Sequence, residues 1–111
     1  MIELVIVVVL IGILSAVAIP KYVDFKNDAA HAASKGVAGA LASASAINYA
    51  ANRVNPATTP LVTTCADVAP LLTTPLSANF GIGGTAPAAC TVTNTDGTAT
   101  PAVVWSMSNS Q

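Results

Sequence analysis

Few residues in this 111-residue sequence offer material for a reactive centre: two cysteines, one histidine and five acids. His31 follows Asp24 and Asp28 on one helical face, a two-carboxylate, one-imidazole set of the kind that ligates a divalent cation. A solvated polar face has the same spacing and is the simpler reading. The glycines at 81, 83 and 84 lack the nearby lysine of a phosphate-binding loop. The sequence therefore reads as a non-enzyme with no cofactor and no metal. Glu3 is the acid in an unusual place, because it stands inside an apolar run, where an ionisable group is by default a functional hypothesis.

Composition explains why that run matters. Hydrophobic residues make up 53% of the chain and charged ones 8%, with a mean hydropathy of +0.66, whereas a soluble domain carries about 25% charge. This excludes a disordered charged tail, and a net charge of -1 leaves no electrostatic footprint for nucleic acid. One domain is expected from the length. The chain must place apolar surface somewhere other than its own core.

That surface lies in residues 1–20, where positions 4 to 19 carry no charge. A bilayer core of about 30 Å needs about 20 helical residues, and the run just meets this. Three readings compete. A secretory signal fits the apolar stretch and the small residues Ala16 and Ala18, but the basic leading region is missing and an acid stands there instead. A plain membrane anchor is the second. The third is a helix that sits in the bilayer first and later buries its surface against copies of itself. Local sequence favours the third: Glu3 is an ionisable group at membrane depth, with snorkelling to the headgroups from so near the chain end as its bland alternative, Gly12 and Ala16 form a small-xxx-small step, and Pro20 weakens the helix at its close.

Ile2-Glu3-Leu4-Val5-Ile6-Val7, then Gly12-Ile13-Leu14, then Ala18-Ile19-Pro20-Lys21-Tyr22 resembles the N-terminal signature of type IV pilins and the related pseudopilins. The match is specific over residues 1–28. Val23-Asp24-Phe25 and Asp28-Ala29-Ala30 look most like pilins of the mannose-sensitive haemagglutinin type. One departure stands out. Family members begin, after leader removal, with a methylated aromatic residue and usually a threonine, whereas Met1 stands directly before Ile2 here, which leaves N-methylation unsupported at Met1. The resemblance implies a homo-oligomeric helical filament outside the cell, an inner-membrane precursor, a pilus assembly machinery and a pairing of Glu3 with a neighbour's amino terminus.

Residues 21–53 continue the helix by pattern. Apolar positions recur at Ala30, Ala33, Val37, Ala40, Ala44, Ile47 and Ala51 in steps of three and four, predicting one buried stripe against a head. Lys21, Asp24, Asp28, His31 and Lys35 take the other side. Ala32, Gly36, Ala40 and Ala44, four apart, are small enough for close approach of another element. A helix from Ile2 to about Asn52 would be about 75 Å long, so its front must project.

Residues 54–111 change character. Six prolines punctuate a threonine-rich stretch whose only charges are Asp67 and Asp96, which excludes long helices. Cys90-Thr91-Val92-Thr93-Asn94 and Ala102-Val103-Val104-Trp105-Ser106-Met107 read as strands with a turn at Asp96-Gly97. Residues 79–84 read as a further short strand or a loop, and residues 65–69 as one helical turn ended by Pro70. This head has few large apolar side chains, so it needs a staple. Cys65 and Cys90, the only cysteines, read as a disulfide contributing about 3.5 kcal/mol; pilins similarly carry a disulfide-bounded loop. The five aromatic residues are too few to argue for charge transport, and packing is their default. No N-x-Ser/Thr sequon occurs.

The expected architecture is α+β: a long N-terminal helix on a small, disulfide-stapled antiparallel β head. The expected function is structural, with Glu3, Gly12, Ala16 and Pro20 serving assembly. The alternatives are a pseudopilin of a secretion system, whose heads often carry an acid-rich calcium site, and a single-pass membrane protein with a periplasmic ligand-binding head.

Overall fold

The computed structural model describes residues 1–96 and 102–107. Helix α1 (Ile2–Val54) runs 53 residues and gives the molecule its extents of 78 × 23 × 17 Å. Glu3 in the first turn and Arg53 in the last complement the helix dipole. The helix stops where Asn55 precedes Pro56, a position that disfavours α backbone; Asn55 is extended, and its N–H still bonds the Ala51 carbonyl at 2.9 Å. Pro20 lies inside the helix, which continues through it.

A 3-10 helix (Cys65–Leu71) follows, then β1 (Phe80–Thr85), β2 (Ala89–Asn94) and β3 (Val103–Trp105). The strands form one antiparallel sheet in the order β1-β2-β3, with Ile82 opposite Val92 and Cys90 opposite Trp105. Alternation along β2 sends Cys90, Val92 and Asn94 inward and Thr91 and Thr93 outward. The β1–β2 corner requires Gly84, whose φ is +98° and whose Cβ, if present, would collide with the Ala89 carbonyl oxygen. The α+β architecture and the antiparallel head agree with expectation, and residues 80–85 take the strand alternative.

The core holds Ala38, Leu41, Val62, Cys65, Val68, Cys90, Val92, Trp105 and Met107. It corrects the stripe read from the sequence. Helix α1 buries Ala30, Ser34, Ala38, Leu41, Ser45 and Asn48, whereas Ala33, Ala40 and Ile47 are exposed. Two serines reach the core because each satisfies its hydroxyl on its own helix: Ser34 Oγ donates to the Ala30 carbonyl at 3.0 Å and Ser45 Oγ to the Ala42 carbonyl at 2.8 Å. So engaged, a serine packs as a small residue. Two smaller corrections follow. Pro70 sits within the 3-10 helix, which reaches Leu71 because proline's fixed φ suits that geometry and the Leu72 N–H closes onto the Ala69 carbonyl. Strand β3 spans fewer residues than expected, although the Met107 N–H still bonds the Pro87 carbonyl at 2.9 Å. Gly97 of the expected turn lies outside the described residues.

Candidate interaction surface

The front of α1 is covered by no other described element. Every residue from 1 to 26 is exposed, including the large apolar side chains Leu4, Val7, Leu10, Ile11 and Leu14. This is the one helix among the described residues long and apolar enough to cross a membrane, and none of its apolar window is buried. A compact monomer of 11.0 kDa exposes about 5,600 Å²; this chain exposes 7274 Å². The excess, about 1,650 Å², is about twice the 800 Å² that one partner contributes to a standard interface.

Glu3, Gly12, Ala16 and Pro20 are all exposed on this rod, but they do not form one cluster. Gly12, Ala16 and Pro20, four apart, share a face. Glu3 lies nine residues before Gly12, which is two and a half turns, and so on the opposite side. A Cβ added at Gly12, Gly36 or Gly39 would meet nothing within 4 Å, so no neighbouring atom of the chain demands glycine there. Ser15, within the apolar run, keeps its hydroxyl satisfied on the Ile11 carbonyl at 2.7 Å.

Farther along α1 a groove of about 480 Å³ opens between the helix and the end of the 3-10 helix with the residues that follow it. Ala40, Ala44, Ile47 and Ala51 form its floor and Leu71 and Leu72 its wall. Sequence reasoning missed it, since Ile47 had been assigned to the core and the wall comes from a segment more than twenty residues downstream.

Cys65 and Cys90 form a disulfide with Cα atoms 5.6 Å apart, tying the 3-10 helix to the central strand; both are buried, and no described cysteine is free. The head is further fastened by residues the sequence did not flag. Asn48 donates to the Pro60 carbonyl at 3.0 Å and Asn52 to Thr59 Oγ1 at 2.9 Å, holding the chain that leaves α1. Asp67 accepts from the Thr64 N–H at 2.8 Å, the Thr63 N–H at 3.1 Å and the Thr63 hydroxyl at 3.2 Å. The Thr64 N–H, ahead of the others, holds its carboxyl below the usual carboxylate range. The signal was there in the spacing of Thr64 and Asp67, a capping pair at N-cap and third position. Asp96 accepts both contacts from the Asn79 amide at 3.0 Å.

Asp24 and Asp28 are exposed and His31 is half-buried, with its Nδ1 shielded and unpartnered. No cluster of three metal-ligating side chains exists among the described residues. The chain matches no protein-family model, no characterised protein and no solved structure.

Proposed function

We propose that this chain is a pilin-like structural subunit that polymerises into a helical filament outside the cell, with the N-terminal helices bundled at its centre. The observation that carries the reading is the bare apolar rod, whose excess area is larger than one ordinary contact would cover. Residues 1–20 hold the subunit in the inner membrane before a pilus assembly machinery extracts it, and in the filament they exchange lipid for sister helices. That exchange is nearly neutral in hydrophobic terms, since lipid is about as apolar as leucine. Direction must therefore come from packing and polar pairing. Gly12 and Ala16 allow close approach, and Glu3 must find a cation once water is excluded, because either partner left alone costs about 3 to 5 kcal/mol. Between Gly12 and Pro20 the helix loses regularity on assembly, where proline has already removed one backbone bond.

A pseudopilin is the nearer rival. It is disfavoured because both head acids are engaged inside the subunit, Asp67 in its cap and Asp96 with Asn79. A single-pass protein with a ligand-binding head is favoured by the same apolar span, and it requires that span to stay among lipids. Negative-stain imaging of material sheared from cells producing the full chain separates the readings. Long fibres bearing this subunit support the proposal; none, with all of the chain in the membrane fraction, overturns it.

A further inference from the structure

The exposed side of α1 carries two features that match each other. Tyr22 and Phe25, 71% and 69% exposed, project from one face with nothing beneath them. Farther along is the groove whose floor includes Ile47, itself 70% exposed. Phe25 and Ile47 are 22 residues apart, close to six full turns, so knob and groove lie on the same side of the helix. A knob and a pocket at different heights of one chain make a heterologous contact, which repeats without closing and builds a fibre.

The charges fit the same displacement. Relative to the face through Ile11, Phe25 and Ile47, Glu3 falls about 80° to one side and Lys26 about 60° to the other on a 3.6-residue helix. Lys21, Asp24, Asp28, Lys35 and Arg53 lie on the Glu3 side, leaving Lys26 the one charge on its flank of α1. Helices that turn a common face inward meet flank to opposite flank, the geometry in which charged pairs set register and partner in helical bundles. Glu3 and Lys26 are 23 residues apart, so the two features call for the same shift.

We infer that the groove at Ala40, Ala44, Ile47 and Leu72 receives Tyr22 and Phe25 of a second, parallel copy displaced by 22 to 23 residues, about 33 to 35 Å along the axis, and that Glu3 of the displaced copy pairs with Lys26 of its neighbour. The inference rests on the filament reading and names its lateral contact and the partner of its buried acid. The shift leaves the apolar front of one copy beside the aromatic turn and uncharged face of the other, which covers surface that the head leaves bare.

The test is a charge exchange in full-length protein, with fibre mass per cell read after shearing. Lys26→Glu is expected to lower fibre yield at least tenfold while the subunit stays in the membrane fraction, and Glu3→Lys with Lys26→Glu to recover it to within about threefold. Unchanged fibres from Lys26→Glu would mean that Glu3 pairs elsewhere, for example with an amino terminus, and would overturn the pairing. Should the lysine at position 3 impair insertion, Phe25→Cys with Ile47→Cys decides independently. The native cysteines are already joined, so oxidised fibres of this variant should show a ladder of covalent multimers on non-reducing gels. Monomers alone would overturn the contact. Absence of wild-type fibres would instead defeat the filament reading itself.

Discussion

The two halves of α1 are one continuous helix under opposite physical regimes. Behind residue 26 it buries six residues against a sheet and a 3-10 helix, and the buried Ser34, Ser45 and Asn48 find partners within the chain. Ahead of that point nothing is buried, although most side chains from residue 2 to 19 are larger and more apolar than the alanines, serines and asparagine that the rear half buries. Leu41 is inaccessible and Leu10 is bare, yet both are leucines in the same helix. Burial in this molecule therefore follows which face another element can reach. The rear half is completed by its own head, whereas the front half is left bare by its own chain; under the filament proposal, lipid and then copies of itself cover it.

The strongest way to break this contrast is to remove the charge that only an outside partner can satisfy. Glu3→Leu is expected to leave the subunit's fold and membrane insertion intact and to cut fibre yield at least tenfold, because the partner cation is left alone in a dry bundle. Sheared-fibre mass beside membrane-fraction content measures it. Normal fibres from this variant would show that the front half needs no polar partner. On the head side, replacing Cys65 and Cys90 together by serine removes the only covalent tie between the 3-10 helix and β2. A loss of about 3.5 kcal/mol of head stability is expected, seen as a lower unfolding temperature in detergent. Intact mass should rise by two hydrogens on reduction of the native chain.

A matched pair sharpens the comparison further. Leu41→Ala opens a cavity at the centre of the core and is expected to cost about 3 kcal/mol of subunit stability. Leu10→Ala removes the same atoms from the exposed rod, so subunit stability in detergent should move by less than about 0.5 kcal/mol. Its effect should appear in fibre yield. If Leu10→Ala destabilises the isolated subunit as much as Leu41→Ala does, the front half is not the independent surface described above.

How much of this was legible in the sequence follows from the same contrast. The long helix, its end near the first head proline, the disulfide and the strand character of residues 90–94 were readable because each rests on local chemistry: an apolar run, a proline, a lone cysteine pair, an alternation. The buried face of the rear helix was misplaced by about one position because an apolar count passes over Ser34, Ser45 and Asn48. Those residues enter the core only once their polar groups are satisfied by Ala30, Ala42 and Pro60, and such satisfaction is a property of three-dimensional placement. Ile47 shows the converse, an apolar residue on a helical stripe that the head does not reach. Of the candidate assembly residues, Gly12 and Ala16 read as a small-xxx-small step; that Pro20 continues their face and that Glu3 lies opposite Gly12 were equally available from the helical period and went unread. The groove could not be read at all, because its wall is brought in by the chain reversal after α1.

The smallest expected effect belongs to Asp67, and it tests whether the head carries its own electrostatic stability. Its carboxylate accepts two backbone N–H groups and one hydroxyl at the start of the 3-10 helix, and these contacts hold its pKa below the ordinary value of 3.8. A depressed pKa means that the folded state binds the proton less readily than the unfolded chain does. The contribution is therefore fully present above about pH 3.8 and is lost as pH falls through the lower, folded value. Asp67→Ala should lower the unfolding temperature of the head modestly at pH 6, and the gap from the native chain should narrow on going from pH 4 to pH 2. Salt should change the gap little, since the partners are neutral hydrogen-bond donors and no ion pair is being screened. A gap that stays constant across that range would mean that the neutral acid caps the turn as well as the carboxylate does. A gap that widens toward low pH would contradict the direction of the shift. Front-half variants such as Leu10→Ala should show no such dependence in the same window, because the fold of the isolated rod rests on its own backbone hydrogen bonds and on no carboxylate cap.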